Sequence, residues 1–410
     1  MYCSMTEIKK SVDSIFEETV EIRRKLHSHP ELSEHEENTS RFICERLSQL
    51  GIEYEGNVAG YGVSAVIYGK DTDKAVGIRA DMDALPIEEK TDVPFRSQNS
   101  GVMHACGHDI HTAILLGTAK ILNEMREKLP YSVILLFQPS EETIGGARQM
   151  IEAGCLKTPE VRDVIGLHVE PELRSDSVQF IAGAMNAASC EFYVTVNGVS
   201  CHGAHPSLGL DPLIPACEMV TALQSVITRR LAPTDSAVIT VGQLHSGTKN
   251  NIIPPETKFS GIIRALTNGN RQLLKEKLKE VCDGIAAAPG TTCSIEFCDS
   301  YPALVNNGAL YRIMTEAAEE ILGADRVKFR TVPSLGADDF SYFCQEDKGL
   351  RGLYYNVGSA KDDRTPSPPI HSDVFCPDEE SIRTGMLTEI YGVLKIMEAY
   401  ERDGIYGFGM

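Results

Sequence analysis

The chain has 410 residues, more than a single hydrophobic core usually fills, so two domains are expected. With 42% hydrophobic and 24% charged residues it reads as globular, and a net charge of -19 argues against a nucleic-acid-binding face and disfavours anionic membranes. No apolar run approaches the roughly 20 residues that span a bilayer.

The N-terminal MYCSMTEIKKSVDSIF lacks the apolar core of a signal peptide. The 12 cysteines are scattered without a C-x-x-C pair, which fits reduced thiols and a cytoplasmic protein.

In chain order, residues 6–50 read as helical, with Ile8, Val12, Ile15, Phe16 and Val20 on one face. His29-Pro30 breaks that pattern, and a second helix around residues 39–50 is stopped by Gly51. Short apolar runs at 63–68, 75–78, 132–137 and 164–169 then alternate with helical stretches such as 112–127. Such alternation predicts an α/β fold with a doubly wound, mainly parallel sheet.

The middle of the chain follows another order: strand 190–196, helix 213–228, strands 237–244 and 257–266, helix 271–287, strand 292–298. This β-α-β-β-α-β succession resembles a ferredoxin-like split βαβ sandwich. It predicts a second domain at 184–298, inserted between the two parts, 1–183 and 299–410, of the α/β domain. Beyond it the alternation resumes with helix 310–322, strand 353–357 and helix 379–398.

In open α/β sheets, ligands bind beyond the carboxyl ends of the strands. Here those ends are rich in metal-type and acid–base residues. The run at 75–78 leads into Asp81 and Asp83, and 132–137 leads into Glu141 and Glu142. The run at 164–167 ends at His168; GVMHACGHDIH carries His104, Cys106, His108, Asp109 and His111, and a late loop carries His371. Thiolate, imidazole and carboxylate together suit Zn²⁺, Mn²⁺, Co²⁺ or Ni²⁺.

Alternation in an extended segment would put Cys106 and His108 on one side. In extended backbone the adjacent Glu141 and Glu142 would diverge, one ligating and the other serving as general base. Singly, a buried histidine is usually a satisfied core residue and a Glu pair a solvated surface. Five strand or loop ends agreeing on one crevice is what favours a metal centre.

The segments GVMHACGHDIHTAILLG, FQPSEE followed by GGA, GLHV, HSGTKNNIIPP and PPIHSDVF resemble the M20 metallopeptidase family. RKLHSHPELSEHE and RADMDALPI point to its amidohydrolase branch of hippurate, N-acyl-amino-acid and auxin-conjugate hydrolases. The resemblance spans roughly residues 20–400. It implies two divalent metal ions per subunit, Mn²⁺ or Zn²⁺ first and Co²⁺ or Ni²⁺ next, held by Cys106, His108, Glu142, His168 and His371.

By the same resemblance Glu141 is the catalytic base, Asp83 orients a ligand, and the inserted domain is a lid and dimerisation domain. Its His202 reaches the partner subunit's active site, and Asn251 and Arg264 bind substrate. Two departures stand out: Ser207 occupies a position where the branch commonly has histidine, with His205 just before Pro206, and Ser140 replaces a common alanine.

The expected function is therefore hydrolysis of the amide bond of small N-acyl amino acids by a homodimer. Three other readings compete with it. An exopeptidase or dipeptidase on the same scaffold is disfavoured by the cysteine in HACGHD. A silent ligand-binding relative would need a broken ligand or base, and a structural zinc protein would have no use for the extra carboxylate of Glu141.

Overall fold

In a computed structural model, residues 3–361 and 367–403 are described. They form two compact units, Met1–Gly183 with Val305–Val332 and Asp339–Met410, and Ala184–Leu304 with Pro333–Asp338. The second unit runs past the expected end at 298 and takes in 333–338. Backbone bonds explain both additions: Ser189 N donates to Tyr301 O, Ser334 N to Met185 O, and Ala187 N to Gly336 O.

The first unit is built on an eight-stranded sheet. Its order is Glu53–Val58, Gly62–Ile67, Tyr131–Gln138, Asp71–Asp81, Glu160–Arg174, Arg351–Ala360, Val178–Ile181 and Val327–Arg330. The four central strands, Tyr131–Gln138 through Arg351–Ala360, are mutually parallel, as continuous apolar runs covered on both faces require. The chain passes from Asp71–Asp81 to one neighbour and then crosses to the other at Glu160–Arg174, which makes the carboxyl end of Asp71–Asp81 the switch point where doubly wound sheets bind ligands.

The strand that was expected to end at His168 continues to Arg174, because Val357, Gly358 and Ala360 keep pairing with it. Its other neighbour departs after Arg79, opposite Gly166, so His168 lies just beyond the ladder on that side.

Three helices, Met5–His27, His108–Glu124 and Glu380–Asp403, pack together over this sheet. Ser4 and Glu7 close a capping box that starts the first of them. The helix His108–Glu124 is buried on nearly every side, hence its weak amphipathic pattern. It crosses the last helix closely: a Cβ at Gly117 would stand 2.4 Å from Met386 Sδ, and one at Gly385 would stand 2.4 Å from Ile114 Cδ1.

The same crossing buries Glu389, whose Oε2 accepts from Thr118 Oγ1 at 2.7 Å. Burial pushes this carboxyl up to about 8, with the Thr118 bond opposing weakly. The unfolded chain releases that proton near pH ~4.3. Stability from this group is thus full below about pH 4.3 and is lost as pH rises toward the folded value near 8. Glu389→Gln keeps the acceptor and removes the titration, so its melting temperature should exceed wild type by several degrees at pH 8 and match it near pH 4, by calorimetry.

The second unit has a four-stranded antiparallel sheet ordered Ala237–Ser246, Glu256–Ala265, Ala188–Asn197, Thr292–Asp299, with helices Leu213–Arg230 and Asn268–Ala287. That order is the split βαβ sandwich expected from the sequence. Its core takes alternate residues of the central strand, Cys190, Phe192, Val194 and Val196, with Leu223 and Leu278 from the helices. Among the described residues no helix is long and apolar enough to cross a membrane.

Candidate metal centre

The turn after Tyr131–Gln138, His168 within Glu160–Arg174, and two loops bring ligand atoms together in the first unit. Cys106, His108 and His168 each offer an atom within 4.8 Å of the others; so do Cys106, Glu142 and His371, and so do His108, Glu141 and Glu142. Cys106 Sγ lies 3.3 Å from His168 Nε2, and His371 Nε2 lies 3.2 Å from Glu142 Oε1. The first two sets overlap at Cys106.

Local backbone produces this convergence, and it differs from the extended backbone expected at two places. Gly107 sits at φ 89 just before the helix beginning at His108. A left-handed turn, rather than strand alternation, brings Cys106 and His108 together. Only glycine fits there, since a Cβ would stand 2.4 Å from Val169 Cγ2. Glu141 and Glu142 lie in a turn entered through Ser140 at φ 57, so their carboxylates converge instead of diverging.

Hydrogen bonding fixes which imidazole atoms are free. His108 Nδ1 faces the Asp83 carbonyl at 2.9 Å and Oδ1 at 3.2 Å, and so carries the proton. His168 Nδ1 donates to Val169 O at 2.7 Å. Both rings therefore present an Nε2 lone pair, the oriented state of ligating histidines.

Among the described residues, buried His108 Nε2 has no hydrogen-bond partner, and buried Glu142 Oε1 has only the His371 imidazole facing it at 3.2 Å. Buried polar atoms rarely go unsatisfied, and a cation is what these two lack. Against the opposing effect of burial, Asp81, Cys106 and Asp83 hold the His108 imidazole well above the usual histidine range, and Asp81 Oδ2 lies 3.7 Å from Nε2, so acidic groups surround the ring. Burial also pushes the Cys106 thiol well up, and a thiolate there needs a cation beside it. The donors present therefore fit divalent metal ions.

His111 differs in kind. Its Nδ1 donates to Asp81 Oδ1 at 2.6 Å, and its Nε2 accepts from Val169 N at 3.0 Å, which leaves no lone pair for a metal. Burial lowers its pKa to about 4, in keeping with a neutral ring. Asp81 is held well below the usual carboxylate range despite burial, by Arg79, His108 and His111. Arg79 in turn bonds Gln138 and Asp339, so a buried polar lattice ties two strand ends to the start of the 3-10 helix Asp339–Cys344. Asp83 does the finer positioning: its Oδ2 accepts from Glu142 N at 3.0 Å while its Oδ1 faces His108.

His202, Asn251 and Arg264 lie in the second unit. His202 pairs with Ile252 in a two-stranded ladder, and Gly203 N donates to Asn251 O, which sets His202 beside Asn251. His202 Nδ1 accepts from Ala204 N at 3.1 Å, so in the neutral ring the exposed Nε2 carries the proton. His205 is exposed with its ring centroid 5.7 Å from that of His202. Arg264 is half-buried, and burial lowers its pKa.

Sequence reasoning missed Arg79, Gln138 and Asp339 as supports, and also Ser33 and Glu36. The last two lie in the RKLHSHPELSEHE segment, which was singled out without a role for its acids.

A donor set of three imidazoles, one thiol and one carboxylate, with a further glutamate beside it, has the composition of a hydrolytic metal centre rather than a closed structural one. The chain belongs to Peptidase family M20/M25/M40, whose profile matches residues 77–388. It is 36% identical to Thermostable carboxypeptidase 1 of Saccharolobus solfataricus over 388 residues, 93% of this chain and 96% of that one. It is also 36% identical to N-acetyl-L-cysteine deacetylase of Bacillus subtilis over 348 residues, 85% and 82% of the two chains. Among solved structures, the YXEP protein of Bacillus subtilis, described as a dinuclear metal binding peptidase from the M20 family, superposes with a TM-score of 0.81 at 29% identity, covering 94% of this chain and 99% of that one.

Proposed function

We propose that this enzyme hydrolyses the amide bond of small N-acylated amino acids, such as N-acetyl or N-benzoyl derivatives, releasing a carboxylic acid and a free amino acid. The observation that carries the reading is Glu141, a carboxylate converging on His108 and Glu142 beyond the five residues proposed as ligands. Two divalent ions, Mn²⁺ or Zn²⁺ first, would be held by Cys106, His108, Glu142, His168 and His371. Bound there, they lower the pKa of water toward about 7 and polarise a carbonyl.

Glu141 takes the proton of the attacking water and returns it to the leaving nitrogen as the C–N bond breaks. Asp83 keeps His108 and Glu142 in register. His202, with its proton on Nε2, donates to the oxyanion from the partner subunit of a homodimer formed through the second unit. Asn251 and Arg264 bind the substrate; the half-buried guanidinium, with no salt bridge among the described residues, suits the carboxylate of the amino acid. Among the described residues no two cysteines are joined in a disulfide, which supports a reducing, cytoplasmic setting.

A hydrolysis panel tests this. N-acetyl, N-benzoyl and longer N-acyl derivatives of many amino acids are assayed with Mn²⁺, Zn²⁺ and Co²⁺ in turn, with dipeptides and longer peptides alongside because one relative is described as a carboxypeptidase. N-acyl amino acids should be cleaved with the highest kcat/KM. Preferential cleavage of free peptides would replace the reading with exopeptidase action, and no cleavage of any amide would refute it.

A further inference from the structure

Glu36 is fully buried, yet it has none of the roles usually found for an acid where it stands. It occupies the N-cap of the helix Glu37–Gln49 without making a side-chain cap. Its Oε1 instead reaches across to the turn of the tandem glutamates, accepting from Ser140 N at 2.8 Å and from Ser140 Oγ at 3.3 Å. Its Oε2 is buried with no hydrogen-bond partner among the described residues. Leaving a carboxylate oxygen unsatisfied is costly, so the contact made by Oε1 demands an explanation.

Ser140 supplies it. It holds a left-handed conformation, φ 57, immediately before Glu141, and residues with a side chain persist there only where their surroundings over-determine them. The surroundings come from residues 33–36. Besides the Glu36 contacts, Glu34 N donates to Ser140 Oγ at 3.0 Å, and Ser33 Oγ donates to Asp83 Oδ2 at 2.7 Å. That same Asp83 oxygen accepts from Glu142 N at 3.0 Å. Glu141 is thus bracketed, by Glu36 through the backbone of Ser140 on one side and by Ser33 and Asp83 through the backbone of Glu142 on the other.

We propose that Glu36 is a positioning residue: through the Ser140 amide it sets the left-handed entry to the turn and thereby aims Glu141 and Glu142 at their common crevice. This rests on the proposed amide hydrolysis, in which Glu141 handles the proton. The essential partner of Glu36 is the backbone N–H of residue 140, which alanine would supply as well as serine. That accounts for the substitution at this position.

The test uses the metal-loaded full chain and its best N-acyl amino acid. Glu36→Gln keeps an acceptor at the same reach, whereas Glu36→Asp keeps the carboxyl group and withdraws the oxygen by one methylene. Glu36→Asp should lose about tenfold to a hundredfold in kcat, the cost of a misplacement near 1 Å, with KM changed little. Glu36→Gln and Ser140→Ala should stay within about threefold of wild type.

Bound metal per subunit, by elemental analysis, and the thiolate absorption of the Co²⁺ form should remain those of wild type in Glu36→Gln, while the Co²⁺ spectrum should shift in Glu36→Asp as Glu142 is displaced. Equal or higher activity in Glu36→Asp than in Glu36→Gln would overturn the proposal, as would loss in Ser140→Ala matching that in Glu36→Asp. A wild-type enzyme inactive on every amide would instead refute the hydrolytic reading, whereas the Co²⁺ spectra would still rank the Glu36 variants.

Discussion

Replacing Glu141 by glutamine should leave fold and metal content intact and lower kcat by about 10²–10⁴, the usual contribution of a general base. The two side chains match in size, and Glu141 is 9% exposed in a turn whose ends are tied by Glu36 and Asp83, so the amide has no reason to move. What it loses is the ability to take a proton. Glu142→Gln provides the contrast, because Glu142 Oε1 is a buried atom facing His371 and His108 and its loss should show first in metal content. Steady-state kinetics beside elemental analysis separates the two. Glu141→Gln retaining more than about a tenth of wild-type kcat would show that the proton goes elsewhere.

His202→Ala should lose about 10²–10³ in rate, mostly in kcat, because a donor to a developing oxyanion acts chiefly in the transition state. The Ala204 amide holds Nδ1, so the neutral ring can only donate outward from Nε2. Metal content should not change, since none of the proposed ligands lies in the second unit. If His202 acts on the partner subunit, mixing His202→Ala with Glu141→Gln under subunit exchange creates one site with both groups intact. Each mixed dimer should then recover about half of wild-type activity, since one of its two sites is whole. Exchange verified by light scattering or mass-labelled subunits, with no recovery, would remove His202 from the partner's chemistry. His205→Ala should alter substrate preference more than kcat on the best substrate.

What could be read from sequence followed from period and composition. Apolar runs at 132–137 and 164–169 were legible because central parallel strands are buried on both faces, and the split βαβ order because its strands alternate. Cys106, His108, Glu142, His168 and His371 were legible as ligand-type residues at strand and loop ends. The backbone that brings them together was not. Gly107 and Ser140 turn the chain through positive φ, which hydrophobic periodicity does not register, so extended geometry was expected where turns exist. The supports were hidden for another reason: Arg79 with Asp339, and Glu36 with Ser140, are pairs that only the folded chain brings together.

The position of the strand Arg351–Ala360 has a consequence for how the protein is made. It lies inside the eight-stranded sheet, between Glu160–Arg174 and Val178–Ile181, yet it is synthesised after the whole of Ala184–Leu304. On the ribosome, Glu160–Arg174 waits with one edge open while the contiguous 184–304 segment, a compact unit of its own, can fold first. The waiting edge is where a nascent chain is exposed to wrong pairing and where a chaperone would bind. His371, one of the five proposed ligands, emerges later still, so on that assignment the ligand set would close only on a chain translated nearly to its end.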